Sequence, residues 1–362
     1  MRKLLKRIIP QPVIGLLKAM RRRFQKSKLA FFGSTPWLTH VYYSLFSSEF
    51  RNEHYAVYKG REAYFDGVED RIQALVLLRR NIHRLEKGLI MRPRRAVFAE
   101  NYLEETMEAF VTCVTNGIGE NGEIKWADDV LNQYFDVVDK TKSQIIADAH
   151  TIYEQTTVVE HSTSCEKQSD DYVPYQYAQL PEGQVTPDAL SVLFQRRRSI
   201  RWYQQKDVPL SLLETATAHA SLAPSACNRQ PFKFHAVLDQ DKATDMADIA
   251  MGTKGFSSNI PAMIAVVGDL SAYPFERDRH VIYIDGSLAS MQLMLSLDTL
   301  GLASCPINWP DMPEKDKKIS EFLDLKPYEK VIMLIAVGYA DPEGLIPFSQ
   351  KKSTNSLLKI VG

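Results

Sequence analysis

The residues of this chain that are best suited to bind a charged ligand lie between positions 197 and 201. Arg197, Arg198, Ser199 and Arg201 come at the end of a predicted helix. Closely spaced guanidinium groups beside a hydroxyl favour bidentate recognition of a phosphate or a carboxylate. A solvated basic helix end, where cations suit the helix dipole, explains the same pattern. Taken alone, this segment favours the second interpretation.

A second polar cluster lies further along the chain, directly before a predicted strand. It contains Pro224, Ser225, Asn228 and Gln230. The hydroxyl and the side-chain amides can pair with the polar edge of a heterocycle. A turn-rich connection between two apolar elements explains the cluster equally well, and the sequence leaves both interpretations open.

A third segment follows Gly301, which is the predicted C-cap of a long helix. It contains Pro306, Ile307, Asn308 and Trp309. By itself this segment predicts a strand followed by a turn. No single one of the three segments decides what the chain binds.

Helices and strands must position these three segments. The apolar runs Ala262–Gly268 and Val331–Gly338 are continuous, which is typical of strands buried on both faces. Phe232–Leu238 alternates between apolar and polar residues and predicts another strand. Helices are predicted over residues 186–197, 210–221 and about 280–300. These elements predict an α+β layer structure with a central sheet.

In this order, the segments resemble the nitroreductase family. The family pattern is Arg-x-Ser-x-Arg, then a Pro-Ser-x-x-Asn-x-Gln-Pro loop, a buried strand, an Asp-x-Gly motif, and a long helix that ends in Gly-Leu. Here the last parts are Asp285-Gly286 and Gly301-Leu302. The resemblance covers residues 186–362, about half of the chain. It implies a nitroreductase-like fold in which helices flank a central, mostly antiparallel sheet.

The resemblance implies that this half of the chain binds FMN. The residues that match the family's segments for the FMN phosphate and the flavin pyrimidine edge are Arg197, Ser199 and Arg201, with Arg198 through its backbone, and Lys351 and Lys352 near the C-terminus. FMN joins a dianionic phosphate to an amphipathic ring, so it needs cations at one end and amide groups at the other.

The resemblance also assigns the second and third segments. The residues that match the loop reaching the flavin across a homodimer interface are Pro224, Ser225, Asn228 and Gln230. The residues that match the strand end whose backbone N–H lies near flavin N5 are Pro306, Ile307, Asn308 and Trp309. No catalytic side chain is predicted, because hydride transfer needs positioning more than an acid or a base.

The expected function is that of an FMN-dependent oxidoreductase. It would take hydride from NADH or NADPH and pass it, in a ping-pong cycle, to a small organic acceptor such as a nitro compound, a quinone or an enone. Two alternatives stay open: a flavin-dependent oxidase or desaturase of a biosynthetic intermediate, and a membrane-peripheral scaffold with a structural flavin domain. The segments Asp239–Pro261 and 268–285 are short for a substrate lid. The N-terminal region or a partner is therefore expected to cover the flavin.

Residues 1–48 form a basic and apolar arm, with ten Lys and Arg residues and no Asp or Glu. Such an arm can lie on an anionic membrane, wrap around its own domain or bind an acidic protein, and the sequence leaves these three open. Pro10 and Pro12 are expected to break a helix here, which weakens the membrane interpretation. The formal net charge of the chain is +0, so no global attraction to nucleic acid is expected.

Residues 49–160 are predicted to be a mainly helical region of unknown role, and the polar stretch 161–185 a linker to the domain at 186–362. Asn116-Gly117 and Asn121-Gly122 predict turns. One helical run is predicted from Val130 to Ile152.

The densest polar cluster of the helical region spans Arg79–Gly88. The favoured interpretation is a solvated, charged helix face that ends at Gly88 as a C-cap. The alternative is an anion-binding site, and its cations would be Arg84, Arg92, Arg94 and Arg95.

The four cysteines, Cys113, Cys165, Cys227 and Cys305, form no CxxC pair. This spacing argues against both a zinc site and a disulfide framework. A reduced, cytoplasmic location is expected, with peripheral attachment to the inner face of the membrane as the alternative.

Overall fold

The computed structural model of the protein describes residues 11–69, 73–160 and 171–361. Residues 1–10 of the predicted arm and residues 161–170 of the predicted linker, with Cys165, lie outside the described residues. The chain divides into two compact units, Met1–Tyr55 and Ala56–Gly362. Within the described ranges, no helix is both long enough and apolar enough to cross a membrane.

Two helices, a π-helical turn and the first residues of a third helix form the described part of the first unit. Helix α1 spans Gln11–Phe32, helix α2 spans Pro36–Val41, and the turn spans Tyr42–Phe46. The expectation that Pro12 breaks a helix is wrong, because Pro12 lies in the first turn of α1. The first backbone N–H groups of a helix have no partner inside it, so proline loses no hydrogen bond there. Pro10 lies outside the described residues.

The region after the arm is helical, as predicted. Its described helices are α3 (Arg51–Glu69), α4 (Ala74–Leu89), α5 (Glu100–Asn116), α6 (Asn121–Val137) and α7 (Gln144–Glu160). Helices α4 to α7 share one hydrophobic core, which contains Leu78, Phe110 and Tyr134. The Tyr134 hydroxyl donates to the Phe98 carbonyl oxygen at 2.8 Å. The one polar atom of this large buried ring is therefore satisfied.

The helix ends in this region agree only partly with the turn predictions. Gly117, with φ of 62°, ends α5 as predicted. The turn predicted at Asn121-Gly122 is wrong, because the carboxylates of Glu120 and Glu123 form a capping box that starts α6 there. The single run predicted from Val130 to Ile152 is also wrong. It is interrupted between α6 and α7, where the Asp139 carboxylate caps a short 3-10 turn.

Gly88 lies inside α4 and does not cap it, which corrects the prediction. An added Cβ at this position would lie 2.3 Å from a ring carbon of Phe98. The Phe98 ring in turn packs edge-on against Tyr134, with ring centroids 5.0 Å apart. Glycine at this position therefore serves close packing between the helix and the Phe98 ring.

The second half of the chain is α+β, as predicted. Its described helices are α8 (Pro187–Arg196), α9 (Leu210–Ala220), α10 (Gln240–Ile249), α11 (Val281–Thr299), α12 (Pro313–Leu323) and α13 (Thr354–Leu357). Its described strands are β1 (Phe232–Val237), β2 (Ala262–Asp269), β3 (Ala303–Asn308) and β4 (Glu329–Gly338). The predicted helices and strands of this half are all present, whereas α10, α12 and α13 were not expected.

The four strands form one antiparallel sheet in the order β1-β2-β4-β3. Alternate residues of β2 enter two different cores: Met263 packs in the same cluster as Met246 of α10, and Ile264 in the same cluster as Leu293 of α11. Both faces of the sheet are therefore covered, which explains the continuous apolar run of β2. The strand order leaves β1 and β3 at opposite edges.

Candidate functional site

The segment after α8 runs beside strand β3. The Ile200 N–H donates to the Ser304 carbonyl oxygen at 3.0 Å, and Ser199 forms a parallel bridge with Ser304. Alternate side chains of an extended segment share one side. Arg197, Ser199 and Arg201 have this spacing, and all three line one cavity.

This cavity lies between the Arg-x-Ser-x-Arg segment and the C-terminal segment, and its volume is about 120 Å³. Its lining residues are Arg197, Arg198, Ser199, Arg201, Ile346, Pro347, Ser349 and Lys351. Four of these are cations and none is a carboxylate, so the cavity has a positive potential. Lys352 is exposed and is not among the lining residues.

Two arginines of the cavity differ in what they contact. Arg198 Nη2 donates to the carbonyl oxygen of Pro347 at 3.1 Å and to that of Phe348, so it fixes the C-terminal segment in place. Arg197 Nε is buried and has no hydrogen-bond partner among the described residues. A buried charged donor without an acceptor costs free energy. Arg197 is therefore the residue best placed to bind an anion.

A buried thiol lies close to this segment. Burial raises the pKa of Cys305 above its usual value, although the nearby Arg201 and Ser199 act in the opposite direction. The thiol is therefore neutral at pH 7, and it does not reduce the positive potential of the cavity.

The second polar cluster is held in place from helix α11. The Asp285 carboxylate accepts from the Ser225 hydroxyl at 2.7 Å and from the Ala226 N–H at 2.9 Å. The Ser225 hydroxyl oxygen also accepts from the Gln230 N–H at 2.8 Å. Asn228 and Gln230 both have positive φ, as does the Cys227 between Ser225 and Asn228. These contacts hold a strained loop in one conformation.

Arg79 of helix α4 closes the same loop from the other side. Its Nε donates to the Asn228 carbonyl oxygen at 3.1 Å, and its Nη2 donates to Gln230 Oε1 at 2.9 Å. Its Nη1 pairs with Glu123 of α6. The interpretation of the Arg79–Gly88 cluster as a solvated face is therefore wrong for Arg79, whose side chain is only 14% exposed.

The alternative anion site in the helical region is not assembled as proposed. The Arg84 guanidinium lies 3.5 Å from the Tyr102 ring centroid and donates to Asn81 Oδ1 at 3.0 Å. Burial lowers its pKa from the usual value. The other three cations, Arg92, Arg94 and Arg95, are exposed.

The third segment forms the end of strand β3. Pro306 and Ile307 pair with β4, and Asn308 is exposed. The Trp309 side chain is buried, and its Nε1 donates to Asp316 Oδ1 at 2.8 Å. Ile307 and Trp309 thus use their side chains inside the protein, which leaves mainly backbone atoms of this segment for a ligand.

Within one chain the structure does not bring all three segments together. The Arg197–Arg201 segment and the end of β3 lie at one edge of the sheet, and the loop that leads into β1 lies at the other. Three strand spacings separate the two edges, or roughly 14 Å. Two residues that hold the loop had no role assigned to them from the sequence. Asp285 was named only as part of the family motif, and Arg79 only as part of a polar helix face.

Comparisons with known proteins match the second half of the chain. The sequence profile described as the nitroreductase family matches residues 194–254 and 249–339. A putative NADH dehydrogenase/NAD(P)H nitroreductase of Archaeoglobus fulgidus is 30% identical over 149 residues, which cover 41% of this chain and 83% of that protein. Iodotyrosine deiodinase 1 of Pongo abelii is 22% identical over 224 residues, which cover 53% of this chain and 75% of that protein.

Solved structures are also similar to part of the chain. One is an FMN-dependent nitroreductase from Clostridium difficile R20291, with 28% sequence identity and a TM-score of 0.38. That match covers 46% of this chain and 92% of the other.

Proposed function

The chain belongs to the nitroreductase family of oxidoreductases, and on this premise we propose that it uses FMN to carry hydride from NADH or NADPH to a small organic acceptor in a ping-pong cycle. The acceptor class is a nitro compound, a quinone or an enone. The observation that carries the proposal is the positive cavity at Arg197–Arg201, which holds a buried guanidinium nitrogen without a partner among the described residues.

The donors of this cavity fit the phosphate of FMN. A phosphate carries up to two negative charges and several acceptor oxygens, and Arg197, Arg201 and Lys351 supply three cations without a competing carboxylate in the lining. Ser199 adds a hydroxyl on the same side. Arg198 acts indirectly, because its contacts to two carbonyl oxygens hold the C-terminal segment that carries Lys351. Lys352 is a second cation next to that lysine.

In the loop before β1, only some of the motif's polar side chains are free to contact the flavin ring. The side chains of Ser225 and Gln230 are bonded within the chain, to Asp285 and to Ser221 and Arg79 respectively. They shape the loop. The Asn228 side chain has no hydrogen bond among the described residues, so it is the amide we propose for contact with the flavin. Pro224 fixes the entry into the loop.

The positions of the two ligand segments support a homodimer. One chain places the phosphate cavity and the loop at opposite edges of its sheet, so a second copy is needed to bring a loop to the cavity. Helix α11, which carries Asp285, exposes an apolar stripe of Ile284, Leu288 and Met291. An interface between two copies would bury such a stripe.

The residues of the chain bind and orient, and none acts as an acid or a base in this proposal. When bound, FMN supplies the hydride acceptance and donation. Arg197, Arg201 and Lys351 anchor its charged end, and Asn228 sets its polar edge. The end of β3, from Pro306 to Trp309, presents backbone groups to the ring. Positioning of this kind can supply a substantial part of the barrier reduction for hydride transfer.

The absorption spectrum of the purified protein tests the proposal. We expect flavin bands that bleach when NADH or NADPH is added without oxygen and that return with a nitro compound or a quinone. A colourless protein that binds no FMN on reconstitution overturns the proposal. A bound flavin that neither nucleotide bleaches favours the oxidase or desaturase alternative.

A second acceptor class is suggested by the iodotyrosine deiodinases to which the chain is similar. Their name points to the reductive removal of iodine from a phenolic amino acid. We therefore include a halogenated phenol among the acceptors to be tested. Release of iodide by the NAD(P)H-reduced protein, with no turnover of nitro compounds, would favour this class over the first.

A further inference from the structure

Helix α1 (Gln11–Phe32) has an apolar stripe that the described part of its own unit leaves exposed. The stripe consists of Val13, Leu16, Leu17, Met20, Phe24 and Phe31, which are between 43% and 71% exposed. Their spacings of three, four and seven residues place them on one side of a helix with 3.6 residues per turn. At 1.5 Å per residue, the stripe is roughly 27 Å long.

The other sides of α1 carry only positive charge. Lys18, Arg22 and Lys26, spaced by four residues, lie opposite the apolar stripe. Arg23 lies on one flank, and Arg21 and Lys28 lie on the other. The segment has no Asp or Glu, so no internal carboxylate neutralises these cations.

We propose that α1 binds the surface of an anionic phospholipid bilayer, with its axis in the plane of the membrane. The phosphate and carboxylate groups of the lipids would pair with the cations, and the apolar stripe would enter the region where the acyl chains begin. The six Lys and Arg residues between Lys18 and Lys28 keep the helix out of the hydrocarbon interior, where each charge is costly.

A membrane fits this helix better than other anionic partners. A nucleic acid offers phosphates but would leave six large apolar side chains in water. A groove on an acidic protein would have to match a 22-residue helix that is basic on both flanks and on its far side. The same unit also exposes Trp37, Leu45 and Phe46, and such aromatic and aliphatic side chains favour the membrane–water interface.

Cosedimentation of the full-length protein with vesicles tests the proposal. The vesicles contain phosphatidylcholine alone or with about one-third phosphatidylserine. We expect binding to the anionic vesicles only, weakened by added salt. Equal binding to both vesicle types, or binding to neither, overturns the proposal, and the second result would point to an acidic protein instead.

Two sets of substitutions separate the two faces of the helix. Arg21→Gln, Arg22→Gln and Arg23→Gln together should lower the partition coefficient by on the order of a hundredfold, since each cation near the surface contributes about fivefold. Leu17→Gln, Met20→Gln and Phe24→Gln together leave the charge unchanged and should lower it at least about tenfold. Circular dichroism and flavin content confirm that each variant is folded.

The matched control removes three exposed cations from the second unit, by Lys242→Gln, Lys254→Gln and Lys318→Gln. This control has the same net charge as the triple arginine variant. It should bind the anionic vesicles like the wild type. A loss as large as that of the arginine variant would show that general charge, and not α1, attracts the protein, and would overturn the proposal.

Discussion

The arginines of this chain differ in how many of their nitrogen atoms the protein itself occupies. Each of the three guanidinium nitrogen atoms of Arg79 has a partner in the protein, and the partners are Asn228, Gln230 and Glu123. Arg197 keeps a buried Nε without a partner in the described chain. A guanidinium whose donors have partners inside the protein stabilises the fold. A buried guanidinium donor without a partner costs free energy, and a bound anion would recover that cost. The first is thus a positioning residue and the second a candidate ligand-binding residue.

At the residue scale, Arg79→Met should weaken FMN binding without touching the cofactor. The change leaves Gln230 Oε1 and the Asn228 carbonyl oxygen without their donor and the strained loop less fixed. We expect the dissociation constant for FMN to rise by roughly tenfold and the free energy of unfolding to fall by about 1–3 kcal/mol. Fluorescence titration and denaturant unfolding measure the two effects.

The control is Arg95→Met, which removes the same charge from an exposed position. It should change neither the free energy of FMN binding nor the free energy of unfolding by more than about 0.5 kcal/mol. Unchanged FMN affinity in the Arg79 variant would show that the helical region does not support the flavin loop.

At the element scale, two glycines in helices have opposite roles. Gly88 in α4 has the Phe98 ring where a Cβ would be, whereas Gly122 in the first turn of α6 has open space. Gly88→Ala should lower the free energy of unfolding by about 1–3 kcal/mol, because the ring must shift. Gly122→Ala should be neutral or raise it by up to about 1 kcal/mol, because alanine is the better helix former.

Thermal unfolding of both variants checks this pair. The comparison controls for helix propensity, since the chemical change is identical. Equal effects in the two variants would contradict the packing role of Gly88.

Strand β1 contains a histidine that should make the fold sensitive to acid. Burial lowers the pKa of His235 below its usual value, and its Nε2 is buried without a partner in the described chain. The folded protein therefore binds this proton less readily than the unfolded chain. The resulting stability is complete above the usual histidine pKa and is lost as the pH falls through the folded-state value.

The variant His235→Phe should remove part of the loss of stability between about pH 7 and pH 5. Phenylalanine suits this strand, which already contains Phe232 and Phe234. Denaturant unfolding at several pH values measures the slope. The control His280→Phe, at an exposed position, should leave the pH dependence of the free energy of unfolding as in the wild type. If the pH dependence of the His235 variant is also unchanged, other groups cause the acid sensitivity.

For the whole molecule, the strand order has the largest functional consequence. The sheet places the Arg197 cavity and the Asn228 loop at opposite edges, so a complete flavin site requires parts of two chains in our proposal. Arg197→Gln and Asn228→Ala should each weaken FMN binding by roughly tenfold or more while the dimer persists in gel filtration.

Coexpression of these two variants tests whether the site is shared. In a mixed dimer, one site combines two wild-type halves and the other combines both substitutions. With random pairing, about a quarter of all sites should regain wild-type affinity for FMN. If no high-affinity sites are recovered, the cavity and the loop that bind one FMN belong to the same chain. Asn132→Ala, on an exposed face of α6, controls for the loss of an asparagine.

The sequence by itself determined the local features of this protein. Helices and strands follow from hydrophobic periodicity, which depends on neighbouring residues. For this reason β1, β2, β4 and α11 were predicted nearly at their observed positions. The ordered motifs were sufficient to indicate the family, because the spacing of Arg197, Ser199 and Arg201 is itself local.

The tertiary structure decided which distant residues meet. Arg79 reaches Asn228 across 149 positions, and Asp285 reaches Ser225 across 60. Neither contact leaves a periodic signal, because each depends on how α4 and α11 pack around the loop. The opposite edges of the sheet, and hence the need for a second chain in our proposal, follow from strand order. Strand order is set by the packing of whole elements and not by any single segment.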